Sequence, residues 1–196
     1  MARSQEEKAR THERILQIAA RRMRETGLNG VGVADLMKEA GLTVGGFYKH
    51  FESRDDLVAE AMAVTFRTWG SEGHSADGKS RTSSWDKLLN DYLGTGHRDN
   101  PGLGCAFGAV ASDLARADAK TRARATAQLR RNFETLAGLL GRSDEAPDDS
   151  PARARAILAF SAMVGAVSLA RLADDDALSR EILDTVRGLL TKPAAP

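Results

Sequence analysis

Between Gly41 and Phe51 the chain reads Gly-Leu-Thr-Val-Gly-Gly-Phe-Tyr-Lys-His-Phe. Thr43, Tyr48, Lys49 and His50 bring a hydroxyl, a phenol, an ammonium and an imidazole into one short segment. Such donors suit phosphate oxygens, which accept from any of them without reporting base identity. Phe47 and Phe51 stand one helical turn apart and are expected to point inward. That leaves Gly45 and Lys49 facing out, with Val44 and Tyr48 on one flank and Gly46 and His50 on the other. Two adjacent glycines, Gly45 and Gly46, cost a helix about 1 kcal/mol each relative to alanine. A short helix carries that cost where another backbone must approach closely, and the major groove of DNA is one such partner.

The remaining reactive residues do not converge in the same way. His12, His50, His74 and His97 lack metal-ligand spacing, and the single cysteine, Cys105, excludes an internal disulfide framework and a thiolate-built zinc site. Asp174-Asp175-Asp176 reads as a solvated helix end with its N-cap rather than a cation site. Neither a Ser-His-Asp order nor a supported pair of carboxylates is present, so no enzymatic activity, cofactor or metal is expected. Cys105 follows Gly102-Leu103-Gly104 and is expected near the first turn of a helix, where amide groups and the helix dipole favour a thiolate. The competing expectation for a lone cysteine is a small buried packing residue.

These residues need a scaffold, and 196 residues with 42% apolar and 28% charged content can bury one. The net charge of +1 divides unevenly: residues 1 to 50 carry nine Lys/Arg against six Asp/Glu, and the rest carry 19 against 21. A mildly basic N-terminal third hints at a nucleic-acid partner. No apolar run approaches the roughly 18 to 20 residues that span a bilayer. The segment Met1–Lys8 is charged and has no apolar h-region, so a signal peptide and a membrane partner are not expected and the cytoplasm is the expected compartment.

Helical periodicity runs through nearly the whole chain. Ile15, Leu16, Ala19, Ala20 and Met23 mark a first amphipathic helix over about residues 5–26, stopped by Gly27. Leu57 to Trp69 and Trp85 to Leu93 carry similar stripes, and further helices read at about 104–116, 119–141, 151–174 and 176–191. No segment alternates as a strand. The expected fold is all-α with about nine helices. Residues 70–84 read as a mobile Gly/Ser-rich connector, residues 98–104 as a sharp loop, and residues 141–151 as an acidic loop with Ser150 as N-cap and Pro151 opening the next helix. Within residues 31–51, Ala34, Leu36, Met37, Ala40 and Leu42 are expected to form the inner surface of a short helix. Gly41 makes the bend, and Thr43 is placed to cap the second helix. Two helices joined this way form a helix-turn-helix.

The run from Gly41 to Leu57, GLTVGGFYKHFESRDDL, resembles the signature of the tetracycline-repressor (TetR) family of one-component regulators. The likeness extends over roughly the first 65 residues. Gly32 departs from it, standing where the family usually has a Ser or Thr cap. The resemblance implies operator double-stranded DNA as partner, with Thr43, Tyr48, Lys49 and His50 in contact with it; Val44, Gly45 and Gly46, on the same short segment, are expected at the same interface. It divides the chain into a helix-turn-helix domain at 1–52, a connecting helix at 53–70, and a ligand-binding and dimerisation domain at 71–196. The implied protein is a homodimeric regulator, a repressor released by a small-molecule inducer.

For the C-terminal part, Trp85, Leu88, Tyr92, Cys105, Phe107, Phe133, Phe160 and Met163 are candidates for an apolar effector pocket, and each would serve equally in an ordinary core. Ile157, Phe160, Val164, Val167, Ile182, Val186 and Leu189, interspersed with small residues, are candidates for a four-helix dimer interface. The alternative function is a helical ligand-binding protein or enzyme whose helix-turn-helix is vestigial.

Overall fold

The structure is a computed structural model and describes residues 2–71, 84–140 and 151–191, with side chains of 2–4 and 67–71 left aside. The expected connector at 70–84 and acidic loop at 141–151 fall largely outside these residues. Among them the fold is all-α: α1 (Ala2–Thr26), α2 (Val33–Glu39), α3 (Arg54–Ser71), α4 (Trp85–Tyr92), α5 (Thr95–Asp99), α6 (Ala106–Ala115), α7 (Ala119–Leu140), α8 (Pro151–Leu172) and α9 (Asp176–Thr191). Three 3-10 turns join them, at Leu28–Gly30, Val44–Lys49 and Pro101–Leu103. The loop expected at 98–104 is thus the end of α5 followed by a 3-10 turn.

The chain divides into two compact units: residues 1–70 with 102–125, and residues 71–101 with 126–196. The grouping follows packing rather than chain order, since α6 joins the N-terminal helices.

In the first unit the α1 stripe is core: Ile15, Ala19, Ala20 and Met23 are fully buried, as are Leu57, Ala61 and Met62 from α3. Burying each isoleucine, leucine or methionine among them contributes roughly 1.5–3 kcal/mol. Phe66 of α3 stacks on Phe107 of α6, ring centroids 5.2 Å apart. Polar bonds finish the attachment of α6 and its approach. Buried Arg24 donates from Nε to the Gly102 carbonyl at 2.6 Å, and the Leu28 amide donates to Asp113 at 3.0 Å. Asp118 caps α7 by accepting from the Thr121 hydroxyl at 2.6 Å and the Thr121 amide at 3.0 Å, and the hydroxyl bond above all draws the Asp118 carboxyl below its ordinary range.

In the second unit α8 and α9 lie side by side. Ala156, Ala159, Phe160, Met163, Ala166, Val167 and Ala170 form the inner face of α8, and Phe133 meets Phe160 edge to face at 5.8 Å. Trp85 donates its indole N–H to the Leu190 carbonyl at 2.9 Å, tying α4 to α9. Asp175 caps α9 through the amides of Ala177 and Leu178, and Asp176 receives Arg98 at 2.9 Å. The aspartate run is therefore a cap and a clamp. Among the described residues no group of three or more His, Cys, Asp and Glu could hold a metal ion.

One expectation is corrected. By length and composition alone, α8 is apolar enough to cross a membrane. The expectation that no apolar run approaches a bilayer span is overturned for this helix, whose 22 residues have a mean hydropathy of 1.5 over their most apolar stretch. Its inner face packs within its own unit.

Candidate nucleic-acid interface

The bend before the recognition segment closes with two bonds that only a left-handed residue permits. Gly41 has φ +69°; its amide reaches the Lys38 carbonyl at 3.0 Å, and the Leu42 amide reaches Met37 at 2.8 Å. This is the Schellman closure of α2, and a side chain at Gly41 would strain it. Gly32 takes the extended N-cap conformation of α2 without a side-chain cap, as expected for a position where glycine costs only a few tenths of a kcal/mol. Leu36, Met37 and Ala40 are buried as expected, whereas Ala34 is exposed and Leu42 only half-buried. In a seven-residue helix the inner face is too narrow to include both ends of the apolar set.

The second helix of the motif is a 3-10 turn over Val44–Lys49. Its bonds run from the Gly46 amide to Thr43 at 2.9 Å and from the His50 amide to Phe47 at 2.9 Å, both three residues apart. Runs of 3-10 helix beyond three or four residues are uncommon, and the end of this one reverts to α-type spacing, the Phe51 amide reaching the Phe47 carbonyl at 3.1 Å. Thr43 occupies the N-cap, but its hydroxyl does not cap the turn, so the expected capping role fails and the exposed hydroxyl is left for an outside acceptor.

Phe47 and Phe51 anchor the turn, 1% and 2% exposed with centroids 5.4 Å apart. Around this anchor Thr43, Val44, Gly45, Tyr48 and Lys49 are exposed, while Gly46 and His50 are half-buried. Tyr48 is 74% exposed, and its ring stands edge-on to Phe47 at 5.3 Å, which holds the phenol outward. A Cβ at Gly45 would meet nothing within 4 Å, whereas one at Gly46 would face Met37 at 3.6 Å. Gly45 is thus not demanded by packing within the chain.

His50 is embedded more deeply than its place in the signature suggests. Its Nδ1 is buried and has no hydrogen-bond partner. Burial, then the neighbouring His12, Lys8 and Lys49, push its pKa below the ordinary histidine value. His12 of α1 lies 5.9 Å away, stacks on Phe51 at 4.6 Å, and donates to the Glu60 carboxylate of α3 at 2.9 Å. This cluster escaped the sequence reading because its members are scattered along the chain. Arg21 and Arg22 of α1 both bind Glu39 of α2, and Arg54 of α3 donates to the Val31 and Leu28 carbonyls. Both contacts hold the motif's frame.

The other candidate residues divide. Trp85, Leu88, Tyr92, Phe133, Phe160 and Met163 lie in the second compact unit, and Cys105 and Phe107 in the first. Tyr92, Cys105, Phe107, Phe160 and Met163 are buried, while Trp85, Leu88 and Phe133 are half-buried. Cys105 is the N-cap residue of α6, at 3% exposure. A polar cleft of about 270 Å³ in the second unit is lined instead by Arg98, Asp99, Arg171, Asp174, Asp176 and Ser179.

The expected dimer seam is only partly outward. Phe160 and Val167 are buried within the chain and belong to its core; Val164, Ile182 and Val186 are half-buried, and Ile157 and Leu189 are exposed. The outward apolar residues of α8 and α9 are Ile157, Leu158, Leu169, Leu172, Leu178 and Leu189. Because α8 is apolar nearly all round, its periodicity does not say which side faces in.

A short helix, a glycine bend and a turn anchored by two buried phenylalanines, with polar side chains exposed on top, form a helix-turn-helix. Residues 15–61 match the family of bacterial regulatory proteins, tetR family. The match is confined to the segment that holds the helix-turn-helix. A stretch of 66 residues is 34% identical to the HTH-type transcriptional regulator AcrR of Shigella flexneri, covering 33% of this chain and 31% of that protein. The likeness of fold reaches further. A TetR transcriptional regulator from Chloroflexus aurantiacus superposes with a TM-score of 0.70 at 24% identity, over 95% of this chain and 97% of its own. A TetR-family regulator from Agrobacterium tumefaciens gives 0.73 at 23% identity, over 96% and 100%.

Proposed function

We propose that the chain is a homodimeric repressor, held on a pseudo-palindromic operator by residues 43–50 and released when a small molecule occupies its C-terminal helical part. The observation that carries the reading is the turn itself. Thr43, Gly45, Tyr48 and Lys49 are exposed on a strip that Phe47 and Phe51 hold rigid from beneath. Phosphate contacts by Thr43, Tyr48, Lys49 and His50 set the register, and Gly45 lets the backbone approach the groove floor.

Dimerisation is assigned to the outward faces of α8 and α9. Leu158, Leu169, Leu172 and Leu189 are 67, 55, 79 and 66% exposed. Stripes of exposed leucine on adjacent helices suit a second copy of the same stripes about a two-fold axis. The effector is assigned to the aromatic interior of the second unit, around Tyr92, Phe133, Phe160 and Met163. Release is assigned to α6. It departs from helical geometry at Val110, where φ is −130° and ψ 17°, and it holds the Leu28 amide through Asp113. A shift of α6 would disturb that bond and, with it, the seating of α1 and α2.

The test is selection of operator fragments from a random duplex pool by the purified protein, followed by sedimentation of the complex. Enrichment of an inverted repeat bound by two copies is expected. Recovery of no enriched sequence, with the protein folded, would overturn the reading and favour a vestigial helix-turn-helix.

A further inference from the structure

The His12, His50 and Glu60 cluster ties three elements together directly beneath the DNA-facing turn. Glu60 of α3 accepts from His12 Nε2 at 2.9 Å, so in the neutral ring the second His12 nitrogen, Nδ1, is an acceptor. His12 stacks on Phe51, one of the two anchors of the turn, and its ring centroid is 5.9 Å from that of His50. His50 ends the turn, its amide bonded to Phe47 at 2.9 Å, and keeps Nδ1 buried without a partner. The surrounding charges are Lys8 and His12 on α1, Lys49 on the turn, and Glu60 on α3. The acid of α2, Glu39, is engaged by Arg21 and Arg22.

We propose that Glu60, His12 and His50 form a proton-linked phosphate contact: His50 is neutral in the free protein and takes up one proton, at its buried Nδ1, when a DNA phosphate accepts from its Nε2. The inference rests on the DNA-binding reading above. In the free protein burial, then the neighbouring His12 and the Lys8 and Lys49 ammonium groups, oppose a charge on His50. A phosphate reverses the local field, and the Glu60 carboxylate, reached through His12, balances the new charge. The proton comes from solvent, and no bond other than N–H forms.

The sign follows from linkage. A group that binds more protons in the complex than in the free protein strengthens binding as pH falls between its two pKa values. Affinity should therefore rise as pH falls towards the lowered free-protein value of His50, by up to about tenfold per pH unit for the one proton taken up.

Because a phosphate contact is sequence-independent, a mixed-sequence duplex of about thirty base pairs at low, constant ionic strength serves as probe. Anisotropy titrations should show wild-type affinity rising as pH falls, a flat profile in His50→Gln, and a reduced slope in Glu60→Gln. Calorimetry in two buffers of unequal ionisation enthalpy should give different heats for wild type and equal heats for His50→Gln. Proton NMR of the His50 ring should show its titration moving up when duplex is added, a reading independent of whether either variant folds. Equal buffer heats and an unmoved His50 titration, with duplex bound, would overturn the proposal. Absence of any duplex binding would instead strike the DNA-binding reading, and the relay with it.

Discussion

The recognition turn leaves Thr43, Gly45, Tyr48 and Lys49 uncovered on top of two buried phenylalanines, whereas α8 and α9 leave Leu158, Leu169, Leu172, Leu178 and Leu189 uncovered. Folding alone asks for neither. At the turn, glycine and flexible polar groups make a surface that water solvates well. On α8 and α9, exposed leucine is costly in water, and only another apolar surface relieves it. The two exposures are unlike in chemistry, and each can be disturbed separately.

The largest effect is expected from Leu169→Asp combined with Leu189→Asp. Unpaired charges in the outward seam should give monomers by sedimentation. Loss of joint half-site engagement should weaken operator binding on the order of 10²- to 10⁴-fold. A dimer of unchanged mass would show that the apolar face has another occupant. Phe160→Ala, on the inner face of the same helix, should instead lower unfolding stability by about 3–5 kcal/mol, because its cavity lies within the chain. Denaturant midpoints of the two variants separate seam from core.

The turn can be dissected with its glycines. Gly45→Leu should leave thermal stability nearly unchanged, since its Cβ meets nothing within 4 Å. It should nevertheless cost at least about tenfold in operator affinity, roughly 1.4 kcal/mol. Gly41→Ala should do the reverse, costing roughly 1–2 kcal/mol of stability through its left-handed backbone. If both variants lost stability alike, the exposure of Gly45 would not be functional.

A smaller effect concerns acid. His97 in the second unit is buried, meets Tyr92 edge to face at 4.6 Å and donates to its carbonyl at 2.7 Å. Burial, with Arg171 adding to it, outweighs the Tyr92 bond and holds the His97 pKa below the ordinary value. The unfolded chain therefore takes up a proton near pH 6.5 that the folded chain refuses. This contribution to stability is complete above about pH 6.5 and declines as pH falls towards the lower folded value, by at most about 1.4 kcal/mol per pH unit. Urea midpoints between pH 7.5 and pH 5.5 should fall more steeply for wild type than for His97→Asn. The smallest change is at Lys49→Ala, where the logarithmic salt dependence of DNA binding should shrink by about one unit per lost phosphate contact, equally on operator and random duplex.

The same contrast explains what could be read from residue order. The turn was legible because its logic is local: a glycine bend, two phenylalanines four apart, and donors between them. Helix limits were legible too; the segment read as 119–141 spans Ala119–Leu140, and the one read as 176–191 is Asp176–Thr191. The seam of α8 was not, since a helix apolar on every side has no phase to read, and Phe160 and Val167 turned inward. The short α5 and the Pro101–Leu103 turn lay hidden in Gly, Asn and Pro, which signal a loop by composition. Asp113 and Glu60 gave no sign of their roles, because each bonds a group far away in sequence, at Leu28 and His12.

The placement of α6 with the N-terminal helices also bears on how the chain is made. During synthesis, α1 to α3 leave the ribosome well before residues 102–125, and roughly 30 intervening residues belong to a different unit. At about 5–20 residues per second, the N-terminal helices wait several seconds for Phe107 to cover Phe66 and for Asp113 to reach the Leu28 amide. A fragment ending at residue 70 would stay in that waiting state, with Phe66 deprived of its stacking partner. Pulse-labelled nascent chains should accordingly gain protease resistance over α1 only once the chain has grown beyond residue 125.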